Sequence, residues 1–303
     1  MVDRRIVVAL KKCLHIRKDD SVLIVTDTIK RGLAKRFEMA ARALSNKVKT
    51  ITMRPTGQHG MEPPSNVAKE MMKHDVIIAV TRWSITHTNA RKAARKKGAR
   101  IASLPNFNDN MIDALGIDYN RLESTSKKIA NILMKGRRAH ITTPYGTDVK
   151  FYLNKHVFME TPKEGFFNMP LGEVCVAPSK MHGILVFNSY QDLIKKPTKM
   201  IIKNNRITDF ESSHNGRIIK KILSADSKAR YAAEFGIGTN YKAKIIYNIL
   251  QDEKVIGTCH IAFGTNINFH GRNKSRVHID LMLLKPTIKI DEKIIMEKGR
   301  PLW

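Results

Sequence analysis

A chain of 303 residues, 42% of them hydrophobic, is long enough for two ordinary domains and can bury a sizeable core. No apolar run reaches the ~18 residues of a membrane span, and MVDRRIVVALKKCLHIRKDD returns to charge too quickly for a signal peptide, so a cytoplasmic protein is expected. The net charge of +27 would attract polyanions. The lysines and arginines are nevertheless spread along the whole chain, with no aromatic RNA-binding signature, zinc finger or phosphate loop, and specific nucleic-acid binding is not expected.

SVLIVTD (21–27) reads as a strand, followed by a helix from about Ile29 to Leu44. KVKTITM (47–53) is a second strand, PPSNVAKEMMK (63–73) a helix opening on prolines, and DVIIAV (75–80) a buried strand. THTNARKAARKKG forms a helix ended by Gly98, and ARIAS is the next strand. This alternation predicts a doubly wound α/β domain over 1–138. Its first turn, TDTIKRG, lacks the spaced glycines that admit a pyrophosphate, which argues against a nicotinamide or flavin cofactor.

After KGRRA (135–139) the texture changes to short strands: HITT, DVKFYL, EVCVAP, GILVF, KMIIK and RITDF. A helix is predicted from about Asn215 to Ala233, and the chain finishes in strands through VIGTCHIAFG, VHIDLML, PTIKI and EKIIM. These features predict an antiparallel or mixed α+β domain over 139–303, which the candidate ligands below would make the metal-binding domain. Cys13, Cys175 and Cys259 are odd in number and far apart, giving neither a disulfide framework nor a metal knuckle.

Side chains at i and i+2 of a strand share a face, so His278 and Asp280 in VHID point the same way. His260 lies mid-strand in GTCHIAFG. Two histidines and a carboxylate brought together would satisfy either a zinc-type site or an iron(II) facial triad. Glu173 opens an apolar strand in FFNMPLGEVCVAP, and Glu234 reads as standing between a helix and a glycine-rich loop in YAAEFGIGTN; each taken alone reads as a surface carboxylate at an element end. His87 in SITHTNAR follows the strand DVIIAV at the end where α/β domains gather functional groups. It is a candidate substrate contact, against the plainer reading of a locally bonded residue at a helix start.

The segments NMPLGEVCVAP, AEFGIGTN, DEKVIGTCHIAFGTN and HIDLML, in this order, resemble the ligand-bearing blocks of the aminopeptidase T and aminopeptidase S family of metallopeptidases, in its shorter branch labelled leucyl aminopeptidase. SVLIVTD, SITHTNARKAARKKGARIASLP and TTPYGTD extend the resemblance through the N-terminal half. It implies a metalloaminopeptidase, dimeric and acting on peptides. Glu173, Glu234, His260, His278 and Asp280 would then hold two divalent ions (zinc, cobalt or manganese) that activate a water, with one of the glutamates able to serve as general base. The longer aminopeptidases carry a tyrosine shortly after the histidine that matches His260. The corresponding position here is about Ile267, and Asn266, Asn268 or His270 would have to supply the hydrogen bond instead. The scaffold is also similar to that of the 2,5-dihydroxypyridine dioxygenases, which implies as an alternative one iron(II) on His260, His278 and Asp280, with Glu173 and Glu234 beside it. A basic binding protein without chemistry is a third expectation.

Overall fold

The computed structural model describes residues 2–160, 165–267 and 271–303. The chain begins with α1 (Arg4–Leu14), β1 (Ser21–Asp27), α2 (Arg31–Arg42), β2 (Lys47–Met53), α3 (Ser65–Met71), β3 (Val76–Val80), α4 (Asn89–Lys96) and β4 (Arg100–Ser103). A 3-10 turn at Asp109–Leu115 leads to α5 (Tyr119–Lys135), β5 (Arg138–Thr142), β6 (Asp148–Met159), β7 (Phe166–Asn168) and β8 (Glu173–Phe187). Then come β9 (Thr198–Lys203), β10 (Arg206–Phe210), α6 (His214–Ile222), β11 (Ala232–Gly238), α7 (Ile249–Asp252), β12 (Thr258–Gly264) and β13 (His278–Leu284). The last elements are β14 (Thr287–Ile290), β15 (Lys293–Glu297) and β16 (Arg300–Pro301).

These elements form two compact units, residues 1–119 with 160–171, and residues 120–159 with 172–303. Nearly all of α5 therefore groups with the second unit, whereas the sequence reading placed it before a boundary at 138.

The first unit holds a five-stranded parallel sheet in the order β2-β1-β3-β4-β7. Its central strands β1 and β3 are apolar and buried on both faces, as strands of a helix-covered parallel sheet must be. Leu23, Val25, Ile77 and Ala79 pack with Val67 and Met71 of α3 and Ala90 and Ala94 of α4. The helix starts are fixed by side chains that accept from otherwise unpaired backbone N–H groups. Asp3 caps α1 by accepting from Arg5 N, and Thr88 caps α4 by accepting from Arg91 N.

The second unit is an eleven-stranded sheet, antiparallel throughout, along the path β13-β12-β11-β8-β6-β5-β14-β15-β16, with β9 on β8 and β10 on β9. At Gly183 (φ +130°) a side chain would meet Asp148 O at 2.0 Å, so glycine lets β8 pass close to β6. Ile129 and Leu133 of α5 and Ile219 of α6 join the core that this sheet buries.

The helix expected to reach Ala233 ends at Ile222. Past it, Asp226 accepts from Lys228 N and, from across the fold, from Arg276 N and Ser275 Oγ. This turn lets Ala232–Gly238 enter the sheet between β8 and β12. Sheet pairing thereby overrides the helical preference of a run rich in Ala, Lys and Arg. No helix among the described residues is long and apolar enough to cross a membrane.

Candidate metal centre

Register places five titratable side chains on one face of four adjacent strands. Gly238 of β11 pairs with Glu173 of β8, and Gly236 with Cys175. On the other edge of β11, Glu234 pairs with Ala262 and Gly236 with His260. Across β12 and β13, Ala262 opposes Asp280 and Gly264 opposes His278. Glu234 shares this face with Gly236 and Gly238 by simple alternation, and a register shift just before it leaves Ala232 opposite core-facing Phe263. Residues of the opposite parity, among them Val174, Phe235, Ile237, Ile261, Phe263 and Leu281, enter the hydrophobic core. The same pleat that buries the apolar set thus presents the polar one. Glycine, alanine and cysteine between the polar positions leave room above the sheet.

Glu234 lies at the centre. Its Oε1 stands 3.4 Å from His260 Nε2 and its Oε2 3.0 Å from His278 Nε2. His278 Nε2 is also 3.2 Å from Asp280 Oδ1, while its Nδ1 is 2.8 Å from Thr265 O. A carbonyl can only accept, so Nδ1 carries a proton and Nε2 faces the carboxylates. Glu173 Oε2 is 3.8 Å from His260 Nε2, too far for a hydrogen bond. Glu173, Glu234 and His260 are buried, and His278 and Asp280 are half-buried.

Electrostatics follow from this crowding. Burial opposes charge on His260, but the hydrogen bond it donates to Glu234 and the carboxylates of Glu234, Asp280 and Glu173 outweigh it and raise its pKa to about 9. His278 is displaced in the same direction: burial lowers it, and Asp280 and Glu234 raise it further. Burial would raise the Glu234 carboxyl, yet its two imidazole partners hold it well below the usual carboxylate range.

The sequence reading brought forward all five of these residues, and the fold gathers them. It misread Glu234, which is a buried mid-strand residue and not a loop-end carboxylate. It overlooked Lys254, fully buried, whose Nζ lies 2.7 Å from Glu173 Oε1 and 2.8 Å from Glu253 Oε1. The charged triplet before VIGTCHIAFG was the available signal. It also overlooked Tyr190, whose phenol is pushed up to about 12 by burial and by the charge of Asp280. Asn266 uses its Oδ1 to accept from Asn273 N at 2.8 Å, holding its own loop together, and Ile267 is exposed. Asn268 and His270 lie outside the described residues. His87 belongs to the first unit, exposed in the turn before Thr88, whereas every member of the constellation belongs to the second.

The ligand atoms fall into two overlapping groups, Glu173–Glu234–His260 and Glu234–His278–Asp280, each close enough to hold a metal ion. The donor set is suited to a divalent cation. Imidazole and carboxylate are the ligand types of such ions, and His260 Nδ1 and Glu173 Oε2 are buried with no hydrogen-bond partner among the described residues. A Glu/His/Asp cluster that can hold a metal is therefore present.

No curated protein sequence matches the chain. Among solved structures it is similar to the 2,5-dihydroxypyridine dioxygenase of Pseudomonas putida KT2440, with a TM-score of 0.80 at 15% identity over 99% of this chain and 96% of that one. It is also similar to wild-type AmpT from Thermus thermophilus, with a TM-score of 0.69 at 15% identity over 99% and 98%. At this identity both likenesses speak to the fold alone. The family model described as NicX, 2,5-dihydroxypyridine 5,6-dioxygenase, matches residues 5–302. That match overturns the expected metalloaminopeptidase, and with it the hydrolase chemistry; the two-ion zinc, cobalt or manganese centre read for it is left without support. The shared blocks belong to a scaffold common to both kinds of enzyme, and the chain is a member of the 2,5-dihydroxypyridine 5,6-dioxygenase family.

Proposed function

We propose that the protein is an iron(II)-dependent dioxygenase that opens the ring of a dihydroxylated aromatic of the 2,5-dihydroxypyridine type. The observation that carries this reading is the family match over residues 5–302 in a chain whose adjacent strands set His260, His278 and Asp280 around Glu234. His260, His278 and Asp280 would hold the ion, the donor set of iron(II) oxygenases that leaves positions open. When bound, iron(II) supplies the one-electron chemistry through which an aromatic diol and dioxygen react.

The remaining residues orient and balance charge. Thr265 O accepts from His278 Nδ1 and fixes the ring so that Nε2 faces the site. Glu234 stands between the two imidazoles, and its charge with that of Asp280 offsets the two positive charges of the ion. Glu173 is neutralised separately by Lys254. The half-buried flank formed by His278 and Asp280 is where a planar ring would enter, while the Glu173 and His260 side stays closed to water.

The test is to load the protein with iron(II) under anaerobic conditions, add 2,5-dihydroxypyridine, and admit oxygen while following oxygen consumption and loss of the ring absorbance. Consumption should be stoichiometric with substrate and abolished in Asp280→Ala. A protein that holds iron yet consumes no oxygen with any dihydroxypyridine would defeat the reading.

A further inference from the structure

We infer that Lys254 sets the metal count of the site at one by committing Glu173 to a salt bridge, an inference that rests on the iron reading above. Lys254 precedes β12 and is fully buried, with Nζ 2.7 Å from Glu173 Oε1 and 2.8 Å from Glu253 Oε1. A buried ammonium keeps its charge only when carboxylates surround it, and breaking such a pair leaves an uncompensated charge.

The chain holds the carboxylates and imidazoles of a larger centre. Glu173, Glu234 and His260 form a ligand group of their own, beside Glu234, His278 and Asp280. A single ion among His260, His278 and Asp280 meets only imidazoles and anions. A second ion would have to take Glu173 as a ligand, and that carboxylate is already ion-paired with the Lys254 ammonium. In a buried site of low effective dielectric, an ammonium at that distance strongly opposes a divalent cation sharing its partner. Glu173 Oε2 also stands 3.8 Å from His260 Nε2, so no hydrogen bond ties it to the nearest imidazole. Lys254 is thus a positioning residue: it touches no substrate and acts through Glu173.

The experiment is a titration of metal-free protein with cobalt(II), followed by visible absorption and by elemental analysis after removal of excess ion. It compares the wild type with Lys254→Met, Lys254→Arg and Glu173→Gln. The wild type and Lys254→Arg should bind one ion per chain and Lys254→Met two, with a second set of absorption bands. Glu173→Gln should keep one ion, since the carboxylate a second ion would need is gone; if Lys254→Met does not fold, Lys254→Gln, which removes the charge and keeps a polar side chain, takes its place and should bind two. Two ions on the wild type, one ion on a folded Lys254→Met, or a loss of about tenfold or more in the affinity of Glu173→Gln, the penalty expected for a group that supports the metal, would overturn the inference. A wild type that takes one ion but never consumes oxygen defeats the dioxygenase reading and leaves the role of Lys254 standing. An active wild type whose Lys254→Met variant still binds one ion defeats Lys254 alone.

Discussion

Gly236 and His260 oppose each other on β11 and β12, and the imidazole occupies the space that a side chain on Gly236 would need. A Cβ there would lie 2.1 Å from Cε1 and 2.2 Å from Nε2 of the histidine. The glycine is required by close approach, and its absent side chain is what leaves room for the imidazole over β11.

Gly236→Ala must therefore displace His260. Overpacking of this kind costs about 1–3 kcal/mol, and a ligand moved from its position should weaken metal binding about tenfold or more. Calorimetric titration with cobalt(II), beside a thermal melt of the metal-free protein, measures both. Wild-type affinity in a folded variant would remove His260 from the metal's ligands.

Stability of the metal-free protein should depend on pH through the two histidines. His260 has a folded pKa of about 9, above the ordinary imidazole value of about 6.5. Its contribution is complete below pH ~6.5 and is lost as pH rises through ~9. Metal ligation requires the imidazoles to give up these protons, so metal affinity should rise over the same range and binding should release protons near neutrality. Melts across this range with and without metal, and calorimetry in buffers of different ionisation enthalpy, check the two signs. A metal-free melting temperature that rises from pH 6.5 to 9 would contradict the assignment.

Phe235 follows Glu234 in β11 and points to the other side of the sheet, fully buried, with its ring 5.2 Å from that of Phe151. Phe235→Ala should cost about 3–5 kcal/mol. Urea unfolding of the second unit is the measurement, and a loss under ~1 kcal/mol would place the residue outside a packed core.

Asp3 caps α1, accepting from Arg5 N at 3.0 Å and pairing with Arg5 and Arg36 at 2.8 Å each. The side-chain hydrogen bond from Arg5 holds its carboxyl well below the usual range against a smaller opposing effect of burial. The stabilisation is present above the unfolded carboxylate value of about 3.9 and is lost as pH falls through the depressed folded value. Asp3→Ala should therefore cost about 1 kcal/mol at neutral pH. The difference from the wild type should shrink in strong acid, as read from denaturant melts at the two pH values.

Much of the site was legible because strand periodicity is strict. Once GTCHIAFG and VHIDLML read as strands, the shared direction of His278 and Asp280 followed from the pleat, and β12 and β13 do pair with both in register. Glu234 was misread for a physical reason. KKILSADSKARYAA carries the composition of a helix, and only pairing with β8 and β12, partners distant in sequence, draws its end into the sheet. Lys254 was passed over for a related reason: the charged triplet that holds it is visible, but a lysine beside acidic residues at an element end reads as solvated until its burial is known.

By itself the sequence determined the alternation of elements, the change of texture near residue 138, and which polar side chains interrupt apolar strands, because these follow from local periodicity and turn chemistry. It could not separate two chemistries that share one scaffold, and its first-ranked hydrolase reading gave way to the dioxygenase family. Tertiary structure decided that Glu173, Glu234, His260, His278 and Asp280 occupy one face of four strands, and that Lys254 is held against Glu173. Register between strands far apart in the chain is set by which faces the whole sheet can bury, a quantity that no local window of residues contains.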